Sequence, residues 1–241
     1  MEMFIKLGVS VYSRDSFSYG WTPLHFAAHG NHIQCAKTLI KHRAPIDAVD
    51  SNHQTPLLHA VKCGYTDMMR LLLEENADPN ARDSKRCTPL HACRNNEISK
   101  LLLQYKATIE VTDNGGWSPL QYACMNGAFN CVTYLLEHGA NPNMTANDGS
   151  TALYIATRDN QADVVKILIQ YGANFNARCT DLQSALHIAS AKGNVDIATL
   201  LLQAGANPNS ADKYNSTPLK IAHNEVAAIL VKYGAQTCNN S

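Results

Sequence analysis

The sequence predicts an all-α fold: a solenoid of helix-turn-helix units joined by β-turn connectors, with seven repeats and an N-terminal half-repeat. Three observations predict it. A turn-and-helix opening returns at Thr22, Thr55, Thr88, Ser118, Thr151, Ser184 and Thr217, at spacings of 33, 33, 30, 33, 33 and 33 residues. A second landmark trails each opening, at Arg43-Ala44, Asn76-Ala77, Lys106-Ala107, Gly139-Ala140, Gly172-Ala173, Gly205-Ala206 and Gly234-Ala235. Between the two lies an apolar run such as RLLLEE, TYLLEH or KILIQY. Self-similarity at a period of this size marks stacked supersecondary units, none of which can bury its apolar face alone.

Each element has a physical reason. The Thr or Ser at the opening caps the first helix through its hydroxyl, and a following Pro suits the first helical position, where no N–H is needed. Small residues then let neighbouring units approach closely (Ala27, Ala60, Ala123, Ala156, Ala189). The Leu-rich run is the buried stripe of a second helix. Gly after it supplies a left-handed stop, with Asn76 a tolerable substitute. Arg43 and Lys106 are poorer stops, so their helix ends are expected to be less regular. An Asn/Asp/Gly-rich connector returns the chain to the next opening.

The period, together with Thr22-Pro23-Leu24-His25-Phe26-Ala27 and looser copies at the six other openings, resembles the ankyrin repeat family. The resemblance covers essentially the whole chain. It implies a curved solenoid with one continuous core, a single domain over 1–241, and partner binding on a concave face built from connector tips and first helices. Repeat three is three residues short between its helices, and the last repeat loses about a turn, as suits a terminal cap. The start MEMFIKLG aligns with VKILIQYG, so residues 1–20 read as a half-repeat. Either this is a natural cap or the chain is part of something larger.

Composition narrows the function. The chain is 45% hydrophobic and 17% charged, with 20 Lys and Arg against 20 Asp and Glu. No global field draws it to nucleic acid or anionic lipid. Runs such as VVKILI are too short to span a bilayer, and the N-terminus lacks the pattern of a signal peptide. Eight cysteines sit mostly in apolar helical patterns, which points to buried thiols in a reducing compartment: cytoplasmic, or nuclear.

Chemistry is hard to find. Cys87, His91 and Cys93 lack a fourth ligand with metal-site spacing. His25, His91 and His187 belong to the motif, and the family resemblance makes them structural; Leu58, Gln121, Tyr154 and Lys220 at the matching places dispense with that histidine. Phosphate loops, dinucleotide fingerprints and zinc-protease motifs are missing from the sequence. The expectation is no enzyme, no metal and no cofactor.

What remains is surface. The expected partner-binding residues are Tyr19, Trp21, His53, Lys85, Arg86, Trp117, Tyr122, Met125, Tyr154 and Arg158. Both tryptophans immediately precede an opening, where Trp acts either as a hot-spot anchor or as packing against its own hairpin. Arg82, Lys85, Arg86, Arg94, Lys100 and Lys106 cluster in repeat three against Asp83 and Glu97; an ordinary solvated surface is the competing reading. The sequence thus favours a monomeric protein-binding module whose partner is a protein or peptide, acidic or phosphorylated, and not nucleic acid. The alternative is a regulatory or targeting ankyrin domain of a larger enzyme or channel. The family resemblance also implies asparaginyl hydroxylation, with Asn80 in LEENADPN the best match.

Overall fold

The computed structural model describes residues 10–16 and 19–236, so the helix expected at the start of the half-repeat over 1–20 lies outside the described residues, as does Cys238. The chain divides into two compact units, one ending at Asn114 and the other beginning at Gly115. The first holds α1 (Pro23–His29), α2 (Ile33–Lys41), α3 (Pro56–Cys63), α4 (Thr66–Glu74), a 3₁₀ turn (Pro89–Ala92) and α5 (Asn96–Gln104). The second holds α6 (Pro119–Met125), α7 (Phe129–Glu137), α8 (Ala152–Arg158), α9 (Ala162–Gln170), α10 (Ala185–Lys192), α11 (Val195–Gln203), a 3₁₀ turn (Leu219–Ile221) and α12 (Asn224–Lys232). Among the described residues no strand forms, only an isolated antiparallel bridge between Arg178 and Ser184.

The openings cap as their residue types require. Thr22, Thr55, Thr88, Ser118, Thr151 and Ser184 are extended, and each precedes the first helical residue. The Leu of each motif then enters the core: Leu24, Leu57, Leu90, Leu120, Leu153 and Leu186 are all at most 2% exposed. Burial of such a side chain stabilises by about 1.5–3 kcal/mol relative to exposure, so the motif Leu is a main source of cohesion. Facing them are Leu72 and Leu102 in the first unit and Leu135, Leu168 and Leu201 in the second, all buried.

One expectation is corrected. Arg43 and Lys106 end their helices as regularly as glycine does. Arg43 N–H donates to Ile40 C=O at 2.8 Å and Ala44 N–H to Leu39 C=O at 3.0 Å. Lys106 and Ala107 repeat this at 3.0 and 3.0 Å, and Gly139 and Ala140 at 3.1 and 2.9 Å. The paired hydrogen bonds hold φ at +62° for Arg43 and +66° for Lys106. Satisfying the last carbonyls therefore outweighs the left-handed strain, which is about 1 kcal/mol.

The deletions fall on first helices. In repeat three the first helix shrinks to the 3₁₀ turn Pro89–Ala92, and Cys93 leaves it extended. Asn95 then caps α5, its side chain accepting from Ile98 N–H at 2.9 Å. The last repeat does the same with Leu219–Ile221, and α12 starts after an extended His223.

Candidate functional site: the hairpin tips and first helices

Three of the connectors are hairpins tied by one carboxylate, at Asp50, Asp83 and Asp212. Asp50 Oδ1 accepts from Asn52 N–H at 2.8 Å and Gln54 N–H at 2.9 Å. Asp83 accepts from Lys85 and Cys87 N–H, and Asp212 from Tyr214 and Ser216 N–H. Sequence reasoning missed these residues, although an Asp five places before the opening recurs at Asp50, Asp83, Asp113 and Asp212. Neighbouring tips are then stitched together. In the first unit Tyr19 C=O accepts from Ser51 N–H (2.8 Å), Asn52 from Ser84 (2.9 Å) and Lys85 from Asn114 (2.9 Å). In the second, Gly115 accepts from Asn147 (2.9 Å), Asp148 from Thr180 (3.1 Å) and Asp181 from Lys213 (3.0 Å). The approach is close enough to demand glycine at 149, where an added Cβ would stand 3.0 Å from Cys179 Cα.

The motif histidine is structural, as expected. His25 Nδ1 accepts the Thr22 N–H at 3.1 Å, which leaves Nε2 as the donor to Gln54 C=O at 2.9 Å. His187 bridges Ser184 and Ser216 in the same way, at 3.1 and 3.2 Å. Burial pushes both imidazoles below their ordinary pKa, against the opposing pull of the carbonyls of Gln54 and Ser216. The expectation that Gln121 dispenses with the role is corrected. Its Oε1 accepts from Ser118 N–H at 2.8 Å and its Nε2 donates to Ser150 C=O at 2.7 Å, because a carboxamide offers the same acceptor and donor.

In the first unit an aromatic cluster gathers at Trp21. Its ring lies 4.5 Å from His59, 5.0 Å from His29 and 5.1 Å from Phe26, centroid to centroid. His59 replaces the missing motif histidine one position late and meets Asp50 Oδ2 at 3.0 Å. Burial pushes Asp50 up, but the Gln54 and Asn52 N–H groups and His59 outweigh it and hold the carboxyl below its usual range. Burial likewise lowers His59 against the pull of Asp50, so at neutral pH His59 donates as a neutral ring. His29 Nδ1 lies 3.6 Å from Cys63 Sγ, whose thiol is pushed up by burial and so kept protonated. Trp21 is half-buried, combining both readings of the sequence: packed on its own unit, with one part left to solvent.

The other expected residues divide between the units. Tyr19 (70% exposed), His53, Lys85 and Arg86 stand at exposed tips in the first. Trp117 belongs to the second, edge-on to Tyr122 at 6.0 Å, with Met125 exposed one turn further along α6. Tyr154 is half-buried, and its phenol is pushed up to about 12 by burial and by the Cys179 thiol beside it. Arg158 is engaged by both oxygens of Asp159, at 2.9 and 3.0 Å. Arg82, counted in the basic cluster, is tied at 2.7 Å to Thr112 C=O. Asn80 bridges elements as well: Nδ2 donates to Lys106 C=O at 3.2 Å and Oδ1 accepts from Thr108 N–H at 2.7 Å.

Among the described residues no group of three His, Cys, Asp or Glu side chains could hold a metal, and no helix is long and apolar enough to cross a membrane. None of the described cysteines forms a disulfide; Cys93, Cys124 and Cys131 are buried, and burial pushes the Cys124 thiol strongly up.

Capped helix pairs, left-handed stops and hairpins tied tip to tip within each unit define a helical repeat protein. The chain belongs to the ankyrin repeat family: the family model for ankyrin repeats (3 copies) matches residues 1–83, 78–146, 92–179, 140–212 and 176–241. It is similar to the human ASB11 ankyrin repeat domain (TM-score 0.81, 26% identity), covering 90% of this chain and 100% of that one. An ankyrin repeat-containing protein of Schizosaccharomyces pombe is 38% identical over 84 residues, which is 34% of this chain and 41% of the relative. The Candida albicans glycerophosphocholine phosphodiesterase GDE1 is 30% identical over 92 residues, 36% of this chain and 8% of the enzyme. The chain thus spans less than half the length of either relative.

Proposed function

We propose that this chain is a protein-recognition module, one domain over 1–241, that binds a partner protein or peptide on its hairpin tips and first helices. The observation that supports the reading is the stitched ridge of tips within each unit, which carries exposed Tyr19, His53, Lys85 and Arg86 in one and Leu182 and Tyr214 in the other. A surface already held in place loses little conformational freedom on binding. In this reading the module acts as a monomeric scaffold, adaptor or substrate-selecting part of an assembly, in the cytoplasm or nucleus. Trp21 and Trp117 anchor the partner, and Lys85 and Arg86 favour an acidic or phosphorylated segment. A second reading, a regulatory or targeting domain of a larger enzyme, is favoured by the similarity to GDE1.

The test is affinity capture with the whole chain, followed by titration of the recovered partner against Trp21→Ala, Trp117→Ala and Arg86→Glu. Loss of a true anchor costs about 2 kcal/mol, roughly thirtyfold in affinity. Thermal stability is measured alongside, because Trp21 also packs within its own unit. If all three variants fold and bind like the parent, the tip reading fails at these residues and the surface around Tyr154, Arg158 and Tyr214 replaces it. Asn80 is the proposed hydroxylation site; because both ends of its amide are bonded, modification requires local opening first. Mass spectrometry after treatment with an ankyrin-directed asparaginyl hydroxylase, showing no added oxygen at Asn80, would dispose of it.

A further inference from the structure

In the first unit, the hairpins and first helices occupy residues 19–30, 50–64 and 83–95. These segments contain Lys62, Lys85, Arg86 and Arg94 against Asp50 and Asp83. The sequence reads as a mild excess of positive charge. Folding withdraws both carboxylates from the surface, although Asp50 is held ionised beneath it. Asp50 and Asp83 are 4% and 8% exposed. Asp50 is bonded by Asn52, Gln54 and His59, and Asp83 by Lys85 and Cys87 N–H, with Lys62 Nζ at 3.6 Å. Lys85, Arg86 and Arg94 are exposed and form no ion pair among the described residues. The nearest exposed carboxylate in sequence, Glu97, lies in the first turn of α5.

The matching segments of the second unit, 115–127, 146–160, 179–193 and 212–223, behave differently. They hold Arg158, Lys192, Lys213 and Lys220 against Asp148, Asp159, Asp181 and Asp212. Two of those pairs close on themselves, Arg158 with Asp159 and Lys213 with Asp181. Summed over these segments, the first unit has four basic against two acidic side chains and the second four against four, so the net positive charge belongs to the first unit.

Its geometry selects the ligand. From Trp21 the track passes to His59 at 4.5 Å, along α3 to Lys62, and across 3.6 Å to Asp83, whose hairpin bears Lys85 and Arg86. Arg94 follows on the next element. Lys85 and Arg86 share one hairpin while Lys62 and Arg94 stand on other elements, so a ligand that meets all of them needs length rather than a single anionic group. Arg86 holds φ at +64°, a left-handed tip position that Gly20, Gly116 and Gly149 share with His53, Leu182 and Asn215.

Resting on the reading of this surface as a recognition surface, we propose that the first unit binds an extended, carboxylate-rich polypeptide segment. Its carboxylates lie along Lys85, Arg86 and Arg94, and an apolar side chain sits against Trp21 and Phe26.

The experiment has two arms, both on the whole chain. In the first, a displayed random-peptide library is selected against the parent and against Arg86→Glu/Arg94→Glu. Enrichment of Asp- and Glu-rich peptides that vanishes in the variant is the expected result. Enrichment only of neutral or basic peptides, lost in Trp21→Ala, overturns the acidic ligand but leaves the recognition surface standing; no enrichment at all overturns both. In the second arm, fluorescence anisotropy compares a Glu-rich peptide, its Gln isostere, the isostere with one phosphoserine, and a single-stranded RNA. The Glu-rich peptide should bind tightest, weaken with salt, and lose about tenfold in affinity in the double variant. Lys220→Glu should leave it unchanged. Tightest binding by the phosphopeptide or RNA, or equal binding of the Gln isostere, overturns the proposal. Circular dichroism of each variant, with Arg86→Gln/Arg94→Gln as the milder pair, separates lost binding from lost fold.

Discussion

Gln121 Nε2 donates to the Ser150 carbonyl at 2.7 Å, occupying in its repeat the bridge that His25 makes to Gln54. One chain thus carries the same joint in a titrating and a non-titrating form, and a pH prediction follows. His25, His59 and His187 have folded pKa values below the ordinary 6.5. Their contribution is fully present above that value and is lost as pH falls through it, because the unfolded chain then binds protons the fold resists. His187→Gln should therefore keep near-parental stability around pH 7.5 and lose less than the parent by about pH 5. Thermal midpoints across that range check it; identical slopes would sink the idea.

Asp47→Asn should stabilise. Asp47 Oδ1 accepts from Asp78 N–H at 3.1 Å, as Asn80, Asn143 and Asn209 accept from the next connector. Those asparagines also donate, to the carbonyls of Lys106, Gly172 and Gly234, which an ionised carboxylate cannot do. Partial burial, and then the neighbouring Asp78 charge, push Asp47 above its ordinary pKa. The substitution should gain about 1 kcal/mol near pH 7 in urea denaturation. The gain should shrink as pH falls through the raised pKa, where the protonated parent regains a donor. Equal midpoints at neutral pH would refute it.

Repeat three should be locally less stable than a full-length repeat. Its first helix is one 3₁₀ turn, so it buries fewer side chains than a full repeat, and local opening follows local burial. Amide hydrogen exchange should protect 88–107 less than 151–173. Equal protection would mean that the Asn95 cap and the α5 core compensate in full.

Arg86→Gly should raise stability and weaken binding at once. Glycine accepts a φ of +64° without the left-handed penalty of roughly 1 kcal/mol, while the exposed charge is lost. Denaturation midpoints and peptide anisotropy on the same sample give both readings; a destabilised Arg86→Gly would show that the side chain supports the tip.

The sequence by itself determined the period, the caps at Thr22 to Ser184, the Leu stripes and the places where helices shorten. Each depends on residues within one repeat, where spacing on a helix fixes which face is apolar and which end is capped. The αL stops at Arg43 and Lys106 were misjudged because propensity is local, whereas the hydrogen bonds that fix those ends come from the whole terminal turn. Tertiary structure alone decided the rest. Gln121 resembles a lost histidine until Ser150, one repeat later, supplies its carbonyl. Asp50 and Asp83 read as surface charge until the hairpins bury them, which leaves Lys85, Arg86 and Arg94 as the exposed charges of those segments without an ion pair among the described residues. Trp21 became both packing and surface because His59, on the next repeat's helix, closes on its ring. Contacts between repeats set burial, and burial decides whether a charge or a ring is available to a partner.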